Sequence, residues 1–403
     1  MKKILRLFAL FAIFIFLAEQ LQAIPAFARK YRLSCTTCHA PAAPSLKPYG
    51  DEFAGNGFRL SDEQAPRYYT ETGDTKLSLL REIPIAIRLD GFMNYNMAGN
   101  EKTDFAAPYL IKLMTGGELS DRLSYYFYFF FHERGAVAGV EDAFLMYNNL
   151  FGIDFDIYLG QFQVSDPLFK RELRLSLEDY VLYTRKIGTS GINLTYDKGA
   201  MFTLGLSTGT GITVELLNGD GIGEAHNRVF DDDKYKNVMA KISQGIGDVL
   251  SVGAFVYTGK EALENEPMEN NIISDITNEI FMWGPDLSFT PTDKWTLNAQ
   301  YLQRNDSEVF ENMNSMSPLT DVNTQGAMVE LIFSPKGDQS DWYLLGLYNW
   351  VESDFNPADY QSATFHAGYL LRRNVRLAAE YTVDFTHSNN PINKLSFGFV
   401  SAF

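Results

Sequence analysis

Both cysteines of this 403-residue chain lie in a single five-residue motif, Cys35-Thr36-Thr37-Cys38-His39. Two thiols separated by two residues and followed directly by an imidazole are the attachment signature of a c-type haem. In that chemistry the thiols add to the two vinyl groups of the porphyrin, and the histidine binds the iron from one side. We therefore predict that Cys35 and Cys38 carry one covalently bound haem c, with His39 as its axial ligand.

The same residues are also compatible with a disulfide or with half of a zinc site. A structural zinc site normally has four protein ligands, and the sequence has no second C-x-x-C pair. A thioredoxin-like dithiol normally follows a strand in a βαβ pattern, and the residues around Cys35 and Cys38 do not show that pattern. Haem attachment is therefore the interpretation that the motif favours.

The first 23 residues are typical of a secretory signal peptide. Basic residues at Lys2, Lys3 and Arg6 accompany an apolar stretch over 5–18, and Ala23 offers a small residue at a cleavage point. The apolar stretch is too short to cross a membrane as a helix. We predict a signal peptide over 1–23 and an exported protein, which agrees with the motif because bacteria attach c-type haem outside the cytoplasm.

The composition excludes a nucleic-acid partner and a helical membrane protein. The formal net charge is −16, and removal of the signal peptide makes it more negative by two, whereas nucleic-acid binding needs a surface rich in Lys and Arg. No later segment has 18 consecutive apolar residues, so we expect no membrane-spanning helix. Aromatic residues make up 14% of the chain and the mean hydropathy is −0.15, values that fit strands with one apolar face.

From residue 83 onward, apolar and polar residues alternate with the period of a β-strand. In 374–385, for example, every second residue is apolar, while Arg376, Glu380 and Asp384 lie on the other face. The last segment alternates in the same way and ends in Phe403, like the terminal strand of bacterial outer-membrane barrels. We predict sixteen strands, at 83–97, 106–115, 122–132, 140–149, 153–163, 189–197, 200–208, 236–245, 248–258, 278–290, 293–304, 325–335, 341–352, 360–372, 374–386 and 393–403.

The connections between these strands indicate a membrane barrel. Tight connections at 197–199, 247, 290–292 and 373 alternate with long polar ones at 209–235, 259–277 and 305–324. An even number of strands, with short turns at one end and long loops at the other, is the pattern of bacterial outer-membrane barrels. The fold class that we predict is all-β: a transmembrane, antiparallel, porin-like barrel of about 16 strands over 83–403. A soluble β-sandwich is the alternative.

One segment within the predicted barrel allows three interpretations. Residues 164–187 contain five basic residues and no clear alternation. They could form a helix, a constriction loop folded into the lumen, or an extra hairpin, which would raise the count of strands to 18.

The segment 24–82 is too short and too poor in apolar residues to be a stable domain by itself. It contains no methionine, and His39 is its only histidine, so the usual second axial ligand of a cytochrome c is missing from it. Either the iron has no protein ligand on its second side, or the barrel supplies one. Both options predict that this monohaem cytochrome c segment docks in or against the barrel as a plug.

Barrel residues are therefore candidates for the sixth ligand of the iron. His132 shares the polar face of its strand with Ser124 and should point into the lumen, so it is our first candidate as the distal ligand. His366 lies on a similar polar face with Ser362 and Thr364. The remaining candidates are loop histidines and strand methionines: His226, His387, Met114, Met146 and Met328.

The residues Ile24-Pro-Ala-Phe-Ala-Arg-Lys-Tyr31, Cys35–His39, Leu46–Gly50 and Phe53–Phe58 resemble the fused monohaem cytochrome–porin family of outer-membrane proteins. The resemblance implies a short haem-bearing N-terminus followed by a porin-like barrel. Some members are implicated in oxidising extracellular Fe(II) and passing the electron to periplasmic cytochromes. For this chain, the resemblance implies haem attachment at Cys35 and Cys38 and proximal ligation by His39, and it implies no particular distal ligand.

Together these observations predict an electron-transfer protein of the bacterial outer membrane. Its partners would be outer-membrane lipid, an extracellular electron donor such as Fe(II), and a periplasmic c-type cytochrome. The haem segment would lie on the periplasmic side or inside the barrel lumen. The alternatives are a haem-plugged porin for small solutes and a peroxidase-like haem enzyme.

Overall fold

The computed structural model describes residues 26–60, 73–74, 76–77, 80, 83–97, 102–137, 139–223, 225, 228–231, 233–263, 276–312, 315, 317–386 and 390–403. The predicted signal peptide over 1–23 and the loop histidines His226 and His387 lie outside the described residues.

Sixteen antiparallel strands form one closed sheet in which each strand pairs with its neighbours in the chain, and the first pairs with the last. The strands are β1 (Ile85–Asn96), β2 (Lys102–Glu118), β3 (Leu123–Glu133), β4 (Val140–Tyr147), β5 (Phe155–Gln163), β6 (Tyr196–Gly205), β7 (Thr210–Leu217), β8 (Asn237–Ile246), β9 (Leu250–Leu263), β10 (Ile276–Thr292), β11 (Trp295–Val309), β12 (Leu319–Phe333), β13 (Trp342–Ser353), β14 (Tyr360–Arg372), β15 (Val375–Asp384) and β16 (Ile392–Ala402).

The alternation along each strand separates the lumen from the outer surface. On β10, for example, Asn278, Ile280 and Met282 are buried inside the barrel, whereas Phe281 and Trp283 are exposed on the outside. An apolar outer surface on a sheet without free edges is what a barrel in lipid requires. The predicted fold class, a closed antiparallel barrel of sixteen strands, is therefore confirmed, and the β-sandwich alternative is wrong.

The number of strands is right because two placement errors cancel. The strand predicted at 189–197 is wrong, since residues 189–195 form no strand and pack inside the barrel. The predicted long loop at 209–235 contains β7, which follows a tight turn at Gly209 (φ +80°). The tight connection predicted at 197–199 lies within β6. Extended residues that line a lumen show the same alternation as a strand of the wall, so the pattern alone does not separate the two.

Residues 164–195, which we call the lumen loop, connect β5 to β6 and fold into the barrel. Its side chains bond to strands far along the chain: the Tyr180 hydroxyl donates to Glu330 over 2.9 Å and the Tyr183 hydroxyl to Gln300 over 3.3 Å. The backbone amides of Leu177 and Glu178 donate to the carboxylate of Glu380 on β15. Of the three interpretations of this segment, the constriction loop is therefore the correct one.

Residues 26–60 of the N-terminal segment form a small unit with three short helices, which we call the plug. Its helices are α1 (Ala26–Tyr31), α2 (Cys35–Cys38) and α3 (Pro48–Gly55). Phe27 stacks on Phe58 with 4.7 Å between ring centroids, and Phe53 contacts both rings edge-on. This aromatic cluster forms most of the apolar interior of the plug, in which Ala26 and Ala42 are also buried. No helix in the described part of the chain is long and apolar enough to cross a membrane.

The pairing of β1 with β16 closes the barrel and depends on a close backbone approach. A Cβ atom at Gly398 on β16 would meet the carbonyl oxygen of Gly91 and the ring of Phe92 on β1. We expect Gly398→Ala to lower the free energy of unfolding by about 1–3 kcal/mol, the usual cost of overpacking. Gly346→Ala on β13 is the matched control, because a Cβ there meets nothing within 4 Å. Urea unfolding in detergent, followed by tryptophan fluorescence, measures the stability of both variants. Equal stabilities would contradict a close backbone approach between β1 and β16.

Candidate haem site

The two cysteines occupy one helical turn at the entrance of the barrel. Ser34 caps α2 by accepting a hydrogen bond from the amide of Thr36, and the chain leaves the helical conformation at His39. The His39 amide still donates to the Cys35 carbonyl over 2.9 Å, which keeps His39 directly against the turn. Both thiols are free and half-buried. The turn therefore presents two thiols and an imidazole from a single rigid piece of backbone.

His39 is prepared for binding a metal through its second ring nitrogen. Its Nδ1 lies 3.0 Å from the carbonyl oxygen of Ser45, so Nδ1 carries the proton and donates it. Burial lowers the pKa of His39, against the opposing effect of the hydrogen bond to Ser45. The imidazole is thus neutral at neutral pH, with a free lone pair on Nε2, which is the arrangement found in metal-binding histidines.

The thiols do not have the properties of a redox-active dithiol. Burial raises the pKa of Cys35 and of Cys38, and the nearby charges of Arg373 and Lys47 only partly oppose this effect. Reactive cysteines have a lowered pKa, because the thiolate is the nucleophile. The pair therefore lacks the activation that a thioredoxin-like function requires.

A cavity of about 430 Å³ separates the motif from the barrel wall, within the range of about 300–1,000 Å³ that is usual for cofactor pockets. Cys35, Cys38 and His39 line it on one side, together with apolar residues of the plug, and strands of the barrel line the other side. Gly50 packs so closely on the Cys38 carbonyl that a Cβ atom would collide with it. Two thiols, an imidazole with a free nitrogen and mostly apolar walls fit a covalently held porphyrin.

Asn148, which follows β4 and is fully buried, fixes the plug to the barrel. Its Nδ2 donates to the carbonyl of Gly55 over 2.7 Å, and its Oδ1 accepts from Ser124 on β3 over 3.2 Å. Gly57 has a φ of +67° at this contact, and a Cβ atom there would collide with Ser124. Glycine is therefore required both by the backbone conformation and by the close approach.

Aromatic stacking and charged contacts extend the same interface. Phe58 of the plug stacks on Tyr126 of β3 with 5.4 Å between centroids. Lys47 lies 2.6 Å from Asp338, in the connection between β12 and β13, and the guanidinium of Arg29 donates to the carbonyl of Ile85 at the start of β1. Because the Lys47–Asp338 pair is partly exposed, the apolar and buried amide contacts carry most of the docking energy.

The structure does not bring the first predicted distal ligand to the cysteines. His132 is next to the last residue of β3, at the end opposite to the plug, and it does not line the cavity. His366 is buried, but its ring nitrogens contact Glu380 at 2.8 Å and the Tyr343 hydroxyl at 3.2 Å. Both of its coordinating atoms are therefore in use. Met328, another candidate, is buried elsewhere in the lumen.

Three methionines, but neither His132 nor His366, line the cavity. Met114, Met146 and Met201 line the cavity opposite the motif, on β2, β4 and β6. The first two are among the candidates from the sequence, whereas Met201 was missed. A strand predicted to begin at 200 puts Met201 at a strand end, but β6 begins at Tyr196 and places it in the middle of the wall. Thioether sulfur is a common second ligand of cytochrome c iron, so the barrel offers suitable donors.

Comparison with solved structures shows the fold of outer-membrane porins. OmpF of Salmonella typhi, solved in complex with daunomycin, is 13% identical with a TM-score of 0.57, and the match covers 80% of this chain and 97% of that one. An anion-selective porin from Comamonas acidovorans is 10% identical with a TM-score of 0.56, covering 80% and 99%. The outer membrane channel DcaP of Acinetobacter baumannii is 14% identical with a TM-score of 0.53, covering 80% and 97%.

No protein-family model and no curated protein matches the chain. Identities of 10–14% establish a shared fold and nothing finer. The chain therefore has the porin barrel, and what its plug does has to be argued from the plug itself.

We expect Asn148→Ala to loosen the plug without opening the barrel. The substitution leaves the Gly55 carbonyl and the Ser124 hydroxyl without their buried partner, which costs about 1–3 kcal/mol. Trypsin should then cleave within 26–60 about tenfold faster or more, because the open state is more populated. Asn305→Ala, which removes an amide hydrogen bond to Asn323 on β12, serves as the control. Unchanged cleavage in Asn148→Ala would show that the plug is held by other contacts.

Proposed function

We propose that this chain is a c-type cytochrome of the bacterial outer membrane that passes electrons between an extracellular donor, such as Fe(II), and a periplasmic c-type cytochrome. The observation that carries the proposal is the enclosure of Cys35, Cys38 and His39 in a cavity shared by the plug and the barrel wall. A haem held there would supply a one-electron couple. The resemblance of the N-terminal residues to the fused monohaem cytochrome–porin family supports the same function.

The position of the motif suits a periplasmic partner. In outer-membrane barrels the short turns face the periplasm, and the plug contacts the barrel at the start of β1 and at the connection between β12 and β13, which belong to that end. Cys35 and Cys38 are only half-buried there. A soluble cytochrome could therefore approach the thioether edge of the cofactor from the periplasm.

The lumen beyond the cavity argues against free diffusion of solutes. The lumen loop crosses it, and the side chains of Leu175, Tyr183, Ile187 and Leu194 are at most 2% exposed. With the plug at one end and this loop in the middle, the barrel contains two obstructions in series. A protein that exchanges electrons with the outside tolerates such filling, whereas diffusion of a solute requires an aqueous path past both segments.

A solute channel is the second candidate, and the porin fold favours it. The neighbours in fold include an outer membrane channel and an anion-selective porin. A channel function would require the plug or the lumen loop to move. The two candidates therefore differ in what crosses the membrane, and that can be measured directly.

We expect the double substitution Cys35→Ala with Cys38→Ala to abolish covalent haem while the barrel still folds. Without both thiols no thioether bond can form, so the c-type absorbance of the reduced protein and haem staining after denaturing electrophoresis should disappear. Thr36→Ala with Thr37→Ala, between the cysteines, is the matched control and should keep full haem content. Normal haem content in the cysteine variant would refute haem attachment at this motif.

Purified protein in liposomes tests the transfer itself. External Fe(II) loses one electron to become Fe(III), and a ferric cytochrome c enclosed in the vesicle gains it. We expect enclosed cytochrome c to be reduced at least about tenfold faster than with the double cysteine variant. Leakage of an enclosed small dye, measured in the same vesicles, should stay at the background level. Dye release without electron transfer would establish the channel instead, and neither signal with several donors would contradict both candidates.

A further inference from the structure

Five cationic side chains line the haem cavity, and three of them have an acidic partner. Arg88 pairs with Asp90 over 2.6 Å, Lys170 with Asp166 over 3.1 Å, and Lys112 with Glu172 of the lumen loop. The other two are Arg373, in the turn between β14 and β15, and Arg376 on β15. Among the described residues, neither has a carboxylate oxygen within 4.0 Å.

Arg376 is buried with neutral partners only. Its side chain is 4% exposed, its Nη1 donates to the Tyr343 hydroxyl over 2.6 Å, and its Nη2 donates to the Leu175 carbonyl over 3.2 Å. Its Nε is buried and has no hydrogen-bond partner. A buried charge without a counter-charge is costly, so an anionic group bound beside Arg376 would stabilise the cavity.

The position of Arg376 relative to the motif restricts what could complete it. Arg373 lies in the turn, close enough to Cys35 for its charge to act on that thiol, whereas Arg376 is the second residue of β15. At about 3.3 Å per residue, this places Arg376 roughly 7 Å beyond the turn, deeper in the lumen. In haem, the vinyl groups that react with cysteines and the two carboxylates lie at opposite edges of the ring.

We infer that Arg376 binds the carboxylate edge of the porphyrin, so that the ring stands between the cysteines at the mouth and β15 in the lumen. This inference rests on the proposed attachment of haem. A guanidinium can bind a carboxylate with two parallel hydrogen bonds, and the Nε of Arg376 has no other partner among the described residues. The ring is thereby held at both edges, covalently at the mouth and by charge in the lumen.

A chain of hydrogen bonds through other side chains fixes the orientation of Arg376. The Tyr343 hydroxyl, which accepts from Arg376, contacts Nε2 of His366, and Nδ1 of His366 contacts Glu380 at 2.8 Å. Glu380 in turn accepts the amides of Leu177 and Glu178. The guanidinium is therefore preorganised, and its charge beside the ring should favour the reduced state of the iron, which carries one positive charge fewer.

The alternative is that Arg376 only joins the lumen loop to the wall through Leu175. The haem-loaded protein distinguishes the two roles. For a carboxylate-binding role, we expect Arg376→Gln to shift the reduction equilibrium of the haem about tenfold towards the oxidised form, which is ~59 mV for one electron. Arg185→Gln is the matched control, because Arg185, in the lumen loop, likewise has a buried Nε without a hydrogen-bond partner but does not line the cavity.

A second measurement reads the carboxylates directly. Porphyrin carboxylates can be labelled with ¹³C through carboxyl-labelled aminolaevulinate and followed in reduced-minus-oxidised infrared spectra. Arg376→Lys keeps the charge but loses the planar fork, so we expect its label-sensitive bands to move while its potential stays near that of the unsubstituted protein. This variant also serves if Arg376→Gln does not fold.

Unshifted potentials and unshifted label-sensitive bands in the Arg376 variants, with haem attached, would overturn the inference and leave the proposed function intact. Shifted values together with no electron transfer in liposomes would support the inference while contradicting the proposed conduit. Absence of covalent haem from the unsubstituted protein would overturn both.

Discussion

The pairing of β1 with β16 is the contact on which the rest of the structure depends. In lipid, the backbone groups of an open edge would have no hydrogen-bond partners, so a sheet of this kind is stable there only when it closes. The closing pair brings Gly91 opposite Phe399 and Phe92 opposite Gly398. Closure also creates the lumen, and it thereby determines that every second side chain of each strand faces an enclosed space.

Two segments fill that space in different ways. The lumen loop is held by polar contacts to strands around the wall. Its apolar side chains also share one buried cluster with apolar residues of the wall, such as Met239 and Phe255. The plug is held by aromatic stacking and by one buried amide, Asn148. Between the two segments the cavity is lined by methionines and by two arginines, Arg373 and Arg376, that have no acidic partner among the described residues. Under the proposed function, this is the space that the cofactor would fill.

Much of this architecture could be predicted from the sequence, because it depends on local patterns. Alternation predicted the barrel and its sixteen strands, and five adjacent residues defined the candidate haem site. The placement of strands failed where it depends on closure of the sheet. Residues 189–195 alternate like a strand but lie in the lumen. The loop predicted at 209–235 contains β7, which follows the turn at Gly209. The facing groups, Met201 and Arg376, come from strands far apart in the chain, and only the register of the closed sheet brings them to the motif.

The docking contacts of the plug also suggest an order of assembly. Arg29, Phe58 and Gly55 contact β1, β3 and the end of β4, which are the first strands to follow the plug along the chain. The pairing of β1 with β16, in contrast, joins residues 302 and 312 positions apart, and contacts of such long range form late. The plug can therefore rest on the early hairpins while the sheet is still open. Such a topology favours docking of the plug first and closure of the barrel last, so the proposed attachment of haem to the thiols would precede both.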